Sequence, residues 1–241
     1  MTPRQLRRQS RFRRLARGVY ANGSGEPTLI ERAAAVLVLP ADAVITGVTA
    51  LWLHGFEAGS AEPIRVATKT TGQTVRRGIR LSRVSRLPDS RRRVATPPAA
   101  WLAACTDLDL VDAVAAADWL VRLGRATPAE LAASAARASG RGCRLARRAA
   151  SLARSGVDSP TESELRLLLV LAGLPEPRCN PRIGTAEAPI GRMDLVFEEY
   201  KTIVEYDGDQ HRTDPLQWSR DIARHEAAVG SRQPLFERRR V

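Results

Sequence analysis

The sequence predicts an α/β protein, α+β overall, organised in three parts that comprise residues 1–24, 25–155 and 156–241. Alanine-rich runs whose apolar residues have helical spacing alternate with short β-prone runs through the middle part. A helix-start pattern then opens the last part, which continues into two β-prone runs, 191–197 and 201–208. Helices and strands therefore both contribute to the fold.

Composition bounds the class of protein. The chain has 241 residues, of which 44% are hydrophobic, so it can bury a core, and we expect two compact units with a short leader. No apolar run approaches the ~20 residues of a membrane span, and the N-terminus lacks the apolar segment of a secretory signal, which favours a cytoplasmic protein. Cys105, Cys143 and Cys179 are widely spaced without a C-x-x-C pattern, which favours packing thiols over disulfides or a zinc site.

The chain is strongly basic, with a net charge of +12. Lys69 and Lys201 are its only lysines; the other basic residues are arginines, whose forked guanidinium suits phosphate. Seven arginines and no acid fall in the first twenty residues: Arg4, Arg7, Arg8, Arg11, Arg13, Arg14 and Arg17. This cluster predicts a DNA partner, with a solvated tail as the alternative, and an alanine and arginine bias can also reflect a GC-rich genome.

The N-terminal part has the pattern of a basic helix followed by a hairpin. Thr2-Pro3-Arg4-Gln5 combines a hydroxyl N-cap, an N1 proline and a capping-box glutamine, which predicts a helix start. RFRRLARGVYANG (11–23) has a glycine between two β-prone runs, which predicts a hairpin. This order resembles the N-terminal module of AbiEi-type antitoxins, with RRLARGVY in the place of the wing. The resemblance implies DNA binding by a partial winged helix-turn-helix over residues 1–24.

The middle part predicts helices with two intervening strands. The helices are expected over residues 28–40, 45–56, 97–106, 110–123, 128–137 and 142–154, and the strands over 63–69 and 78–84. His54 has apolar neighbours and no ligand-like spacing, which favours a core histidine. The helix over 142–154 has an arginine face, which is either solvated or in contact with phosphate. The region also resembles the segment of AbiEi-like proteins that joins the winged helix to a downstream domain.

In the last part, carboxylates follow elements that should bring them together. Ser159 to Glu162 forms a capping box, and the leucine-rich helix that follows should stop at Gly173. The runs 191–197 and 201–208 predict an antiparallel pair in which Asp194 lies beside residues 203 to 205. A carboxylate within an apolar strand is costly unless it is bound or paired, so Asp194 and the neighbouring Glu205 are candidate site residues.

Four motifs of this part resemble the domain of unknown function 559. They are SPTESELR, GRMDLVF, VEYDGDQHR and QWSRDIARHE, and they cover roughly residues 156–226. That domain is similar to very-short-patch-repair endonucleases of the PD-(D/E)XK superfamily. The resemblance implies a restriction-endonuclease-like α/β domain and hydrolysis of DNA phosphodiesters.

The resemblance also implies a set of site residues. Asp194 and Glu205 would hold Mg²⁺, a cation that prefers oxygen ligands, activates water and neutralises phosphate charge. Glu162 would orient ligands or water, and His211 would act as acid or base in place of the superfamily's lysine, whose position is occupied by Asp207. Arg220 and Arg224 resemble positions that contact backbone phosphate or brace the site.

Two hypotheses follow from these patterns. One is a metal-dependent DNA endonuclease; the other is a DNA-binding regulator or type IV antitoxin-like protein with an inert nuclease domain. The carboxylates favour the first, although Glu162 is also a good capping residue, like Glu130 after Thr127. The second is favoured by the C-terminus, where residues 228–241 read AVGSRQPLFERRRV. Related proteins have a strand and a helix there, so we expect a truncated domain with an unpaired sheet edge.

Overall fold

The structure is a computed structural model, and it describes residues 11–16, 18–23, 25–71, 77–184 and 189–206. It confirms a mixed fold of helices and several small sheets. The chain divides into two compact units, Met1–Ala153 and Arg154–Val241. Within the described ranges, every helix is too short or too polar to cross a membrane.

The first unit begins with the predicted hairpin. Strands β1 (Phe12–Ala16) and β2 (Val19–Asn22) pair antiparallel, with Arg13 opposite Ala21 and Arg14 opposite Tyr20. Gly18 lies between the strands with φ +89°, a left-handed conformation that a glycine adopts without steric cost. The helix expected from Thr2 onward lies outside the described residues.

The helix expected over 28–40 is α-helical only in its first part. Helix α1 (Leu29–Ala33) is capped by Thr28 and Glu31, and a 3₁₀ turn (Ala34–Val38) follows it. Leu39 is extended because it precedes Pro40, whose ring disfavours the helical conformation of the residue before it. The proline therefore ends the helical segment at Val38, two residues before the predicted end at residue 40.

A five-stranded mixed sheet, in the order β5-β4-β3-β7-β6, follows this segment. Its strands are β3 (Val44–Ile45), β4 (Ile64–Thr68), β5 (Ile79–Arg83), β6 (Ser90–Arg91) and β7 (Val94–Ala95). The predicted strands β4 and β5 are confirmed and pair parallel. The prediction that a helix begins at residue 45 is wrong, because Ile45 pairs with Val66 and Val94 on its two sides.

Five helices complete the first unit and agree with the predicted spans to within a few residues. They are α2 (Gly47–Leu53), α3 (Pro97–Ala104), α4 (Leu110–Arg122), α5 (Pro128–Arg137) and α6 (Cys143–Leu152). Their contacts are rich in alanine, and Trp101 is completely buried, with its indole N–H donating to the Ala113 carbonyl at 2.8 Å. Burial raises the pKa of the Cys105 thiol to about 12, as expected for a packing thiol.

Two predicted details of this unit have clear outcomes. His54 is half-buried rather than in the core, and its Nε2 lies 2.8 Å from the Ala95 carbonyl oxygen, so the ring has a hydrogen-bond partner within the fold. The arginine face of α6 is only partly solvated, because Arg147 donates to the carbonyls of Ala135 and Ala138 at 3.2 and 2.6 Å. Arg147 therefore caps the C-terminal carbonyls of α5, where positive charge is stabilising.

The described residues of the second unit form one α-helix, two small sheets and a 3₁₀ turn (Glu198–Tyr200). Its elements are α7 (Pro160–Leu171), β8 (Arg178–Cys179), β9 (Arg182–Gly184), β10 (Pro189–Arg192), β11 (Leu195–Phe197) and β12 (Thr202–Val204). Strands β12-β11-β8 form an antiparallel sheet, and β9 and β10 form a separate hairpin. Ile183, Met193 and Val196 form a buried cluster, against which Ile203 packs.

The run 191–197, expected as one strand, is divided between these two sheets. Its first residues belong to β10, and its last belong to β11. At the break the Met193 N–H donates to the Pro181 carbonyl, and the Asp194 carbonyl accepts from the Asn180 N–H at 2.8 Å. The chain therefore changes pairing partners at Asp194, which lies in a bend rather than within a strand.

Candidate active site

Three of the predicted site residues, Glu162, Asp194 and Glu205, lie in the described part of the second unit. Asp207, His211, Arg220 and Arg224 lie outside the described residues, as do Arg4, Arg7, Arg8 and Arg17 of the N-terminal cluster. The geometry below therefore concerns the first three carboxylates and their neighbours.

The strand register places Asp194 between two other polar residues. Leu195 pairs with Val204 of β12 on one side and with Cys179 of β8 on the other. One position beyond these pairs, the Asn180 N–H donates to the Asp194 carbonyl at 2.8 Å, and Glu205 is the first residue after β12. Asn180, Asp194 and Glu205 thus lie at the adjacent ends of β8, β11 and β12, and we call these three residues the acidic row.

Asp194 is half-buried, and a backbone group next to Glu205 fixes its side chain. Its Oδ2 accepts a hydrogen bond from the Tyr206 N–H at 2.9 Å. The carboxylate is therefore directed towards the end of β12, the point at which Glu205 leaves the strand. This position agrees with the predicted neighbourhood of residues 203 to 205, although Asp194 is in a bend.

Glu162 is the third helical residue of α7, and only 9% of its surface is exposed. Its N–H donates to the Ser159 hydroxyl oxygen at 3.2 Å, which is the first half of the predicted capping box. Its carboxylate accepts from the Asp158 N–H at 2.9 Å, the Ser159 hydroxyl at 3.0 Å and the Asn180 side-chain amide at 2.5 Å.

Glu130 occupies the same third helix position in α5, but its carboxylate bonds to the residue before the helix. Its Oε2 accepts from the Thr127 N–H at 2.7 Å, and its own N–H donates to the Thr127 hydroxyl at 3.1 Å, so the capping box is complete. Glu162 instead turns its Oε2 to Asp158 and Asn180. Capping therefore accounts for the position of Glu162 in the sequence but not for the direction of its carboxylate.

Asn180 connects Glu162 with the acidic row, and the sequence analysis missed it. Its amide donates to Glu162 and to the Gly156 carbonyl at 2.9 Å, while its Oδ1 accepts from Arg192 Nε at 3.2 Å. Its φ is +51°, a left-handed conformation that asparagine tolerates better than most residues. An asparagine before Pro181, just after a short β-prone segment, is the only signal that the sequence offers.

Basic residues surround this network within the same unit. Arg192 forms an ion pair with Asp158, whose N–H binds Glu162. Arg166, one turn along α7 from Glu162, is fully buried and donates to Glu176 at 2.7 Å. Both guanidinium groups are thus paired with carboxylates next to the network, Asp158 and Glu176.

The arrangement offers oxygen ligands on neighbouring elements. In the described portion of the chain, no group of three or more His, Cys, Asp or Glu side chains is positioned to hold a metal ion. Asp194 and Glu205, as neighbours in the acidic row, are the residues that would hold one. Magnesium fits this donor set, because it binds one or two carboxylates and keeps several waters. The carboxylate of Glu162 already has three donors.

One arginine of the predicted DNA-binding cluster is engaged inside the first unit. Arg13 forms an ion pair with Glu31 of α1 at 2.8 Å and donates to the Gly25 carbonyl at 2.7 Å. The pKa of Glu31 lies below its ordinary value, chiefly because the Thr28 backbone N–H donates to it, and the charge of Arg13 adds to this effect. Arg13 therefore ties the hairpin to α1, whereas Arg14 is exposed.

Two proteins of Mycobacterium tuberculosis are similar to the chain over most of its length. They are Uncharacterized protein MT2308 of strain CDC 1551 / Oshkosh and Uncharacterized protein Rv2248 of strain ATCC 25618 / H37Rv. Each is 32% identical over 239 residues, which cover 93% of this chain and 85% of the relative. No family model and no solved structure matches the chain. The chain therefore belongs to the same protein family as these two mycobacterial proteins.

Proposed function

We propose that the protein binds DNA and hydrolyses its phosphodiester bonds through a Mg²⁺-dependent site in the second unit. The proposal is supported by three sequence resemblances. Residues 1–24 resemble a partial winged helix-turn-helix, the middle region resembles AbiEi-like proteins, and the last part resembles an endonuclease-like domain. The observation that supports it is the acidic row, in which Asp194 and Glu205 lie at adjacent strand ends and Asn180 donates to Glu162.

In this proposal Asp194 and Glu205 would hold Mg²⁺, which would lower the pKa of a bound water and neutralise charge on the phosphate. Glu162 fixes Asn180 and so positions the strand end that carries Asp194. The oxygen of the water bonds to phosphorus as the bond to the leaving ester oxygen breaks; the water gives up one proton and the leaving oxygen gains one. His211 is the proposed group for one of these proton transfers.

A second function is favoured by the hydrogen bonds of the carboxylates. Glu162 accepts from three donors and Asp194 accepts from the Tyr206 N–H, so both have partners without a metal ion. In that case the second unit is inert, and the protein is a DNA-binding transcriptional regulator or type IV antitoxin-like protein. The two functions share DNA binding and differ in cleavage.

Cleavage of supercoiled plasmid by the purified protein, with Mg²⁺ or with EDTA, separates the two functions. We expect nicking that requires Mg²⁺, and Asp194→Asn should abolish it while DNA binding stays intact, because the change removes a metal ligand but keeps the shape of the side chain. Gel separation of nicked and supercoiled forms measures the activity.

A matched pair of glutamates provides the control. Glu162→Gln and Glu130→Gln alter the same helix position in α7 and α5, but only the first disturbs the network that includes Asn180. We expect nicking to fall at least tenfold in Glu162→Gln and to stay unchanged in Glu130→Gln. If the wild type binds DNA but does not cleave it with Mg²⁺, Mn²⁺ or Co²⁺, the inert regulator replaces the endonuclease.

A further inference from the structure

The first unit contains a cleft that the proposed DNA binding and cleavage do not use. It has a volume of about 910 Å³, which is within the range of small-molecule sites. One wall is the edge of the five-stranded sheet, through β4 and β5; the others are α3 and the C-terminal half of α5 with the turn that follows it. It therefore lies between a sheet and two helices, a common place for a ligand.

The floor of the cleft is apolar. Val84, Leu87, Pro98, Ala99 and Leu102 contribute to it, and each of them is partly exposed rather than buried in the core. Covering apolar surface of this kind with a ligand is favourable, because it removes that surface from water. Hydroxyl groups of Ser82, Thr106 and Ser134 line the walls and can bond to a polar ligand.

The cleft is positively charged. Arginines outnumber carboxylates among its lining residues, five to three. Asp107 is neutralised by Arg65 at 2.5 Å and also contacts Arg80 at 3.3 Å, while Glu130 is engaged at the start of α5. In contrast, the exposed side chains of Arg86, Arg137 and Arg141 have no ion-pair or hydrogen-bond partner anywhere in the described ranges.

We propose that this cleft binds a small organic phosphate of nucleotide size. Arg137 and Arg141 would hold its phosphate, since a guanidinium binds phosphate oxygens in a bidentate way. Arg86 would pair with a second anionic group or stack on the base, and the rest of the ligand would cover the apolar floor. An apolar floor without charged neighbours would favour a neutral ligand. Because three arginines that are unpaired within the described ranges line this cleft, we expect an anionic ligand instead.

Isothermal titration calorimetry of the full-length protein with ADP, AMP and adenosine tests this site. We expect ADP to bind more tightly than AMP, and adenosine to bind at least tenfold more weakly than ADP because it lacks phosphate. Arg137→Gln and Arg141→Gln should each weaken ADP binding at least fivefold. The control is Arg148→Gln, which removes an exposed arginine of α6 outside the cleft and should leave affinity unchanged.

Two further variants test whether ADP binds in the cleft of a folded protein and whether this binding is independent of the nuclease site. Ala133→Trp places a large side chain into the cleft from an exposed position of α5, and it should abolish ADP binding while the circular dichroism spectrum stays that of wild type. Asp194→Asn should bind ADP normally, so that loss of nuclease activity and loss of this site are distinguishable. The proposal is overturned if ADP does not bind, if Arg148→Gln weakens ADP as much as Arg137→Gln, or if only DNA oligonucleotides bind.

Discussion

At the scale of single residues, the most informative side chain is Asn180. It bonds to Glu162, which precedes it by 18 positions, and its backbone N–H holds the Asp194 carbonyl. It also has a left-handed backbone, with φ +51°. One residue thus combines a conformational requirement with a buried polar contact, and substitutions can separate the two contributions.

We predict that Asn180→Ala destabilises the second unit more than Asn180→Gly does. Both variants remove one of the three hydrogen bonds to the Glu162 carboxylate, and a hydrogen bond to a charged group contributes about 1.5–3 kcal/mol. Alanine adds about 1–2 kcal/mol for its left-handed backbone, a cost that glycine does not have. Urea unfolding followed by tryptophan fluorescence and circular dichroism measures both variants. Equal free energies of unfolding for the two would contradict the left-handed conformation.

The sequence predicted Glu162 and Asp194 as important but could not supply Asn180. Acidic residues near a helix start or in an apolar run are visible as patterns, whereas the contact between Asn180 and Glu162 exists only after the chain has folded. Arg13 illustrates the same limit, since its ion pair with Glu31 removes it from a cluster that otherwise looks uniformly basic. Long-range partners decide the role of such side chains.

At the scale of elements, capped helices were predicted most accurately. Helix α5 has the expected bounds because Thr127 and Pro128 mark its start unambiguously. The strands that the sequence missed, β3, β6, β7, β8 and β9, are two or three residues long and show no alternation to detect. They exist because neighbouring strands supply their hydrogen bonds, which is information from the tertiary structure.

The Asp42 carboxylate is hydrogen-bonded to the C-terminal end of β4 in the five-stranded sheet. Its ionisation should therefore affect the stability of the first unit. It accepts from the hydroxyls of Thr68 and Thr70 and from the Lys69 N–H, at 2.7, 2.9 and 2.6 Å. These bonds, the Thr68 hydroxyl first among them, lower the pKa of Asp42 from 3.8 to about 2. Because the folded pKa is depressed, the stabilisation is complete above about pH 4 and disappears as the pH falls to about 2.

We therefore predict that Asp42→Asn makes the stability of the first unit less dependent on pH between 4 and 2. The amide of Asn is neutral throughout this pH range, so the variant does not show the part of the acid-induced decrease in the free energy of unfolding that Asp42 causes in the wild type. Urea midpoints at pH 5 and pH 2.5 for wild type and Asp42→Asn measure the difference, with Asp89→Asn as the exposed control. If the two midpoints of Asp42→Asn differ as much as those of the wild type, the depressed pKa is incorrect.

At the scale of the whole molecule, the net charge of +12 should dominate association with DNA. Arginines that contact phosphate displace counterions, so the logarithm of affinity should fall linearly with the logarithm of salt concentration. The two neighbouring arginines of the hairpin differ in exposure, because Arg13 is half-buried and Arg14 is exposed. The two arginines therefore offer a direct test of which charges face the nucleic acid.

We predict that Arg14→Gln reduces the slope of this salt dependence by about one, as expected for one lost phosphate contact. Arg13→Gln should reduce it less and should instead lower the melting temperature, because it breaks the contact between the hairpin and α1. Fluorescence anisotropy with a labelled duplex at several salt concentrations gives the slopes. An unchanged slope in Arg14→Gln would assign that arginine to solvation, and binding that is insensitive to salt would argue against a DNA partner.

The bend at Asp194 has a consequence for how this family can vary in evolution. The hydrogen bond between the Asn180 N–H and the Asp194 carbonyl joins the two ends of the segment 181–193, which contains the hairpin of β9 and β10. Both ends of this hairpin are therefore fixed at the same place. Among the described residues of this segment, Ile183 and Met193, near its ends, belong to the buried cluster. The length between β9 and β10 can therefore change without shifting the acidic row, and insertions and deletions among relatives should accumulate there and be excluded from the stretch 194–205.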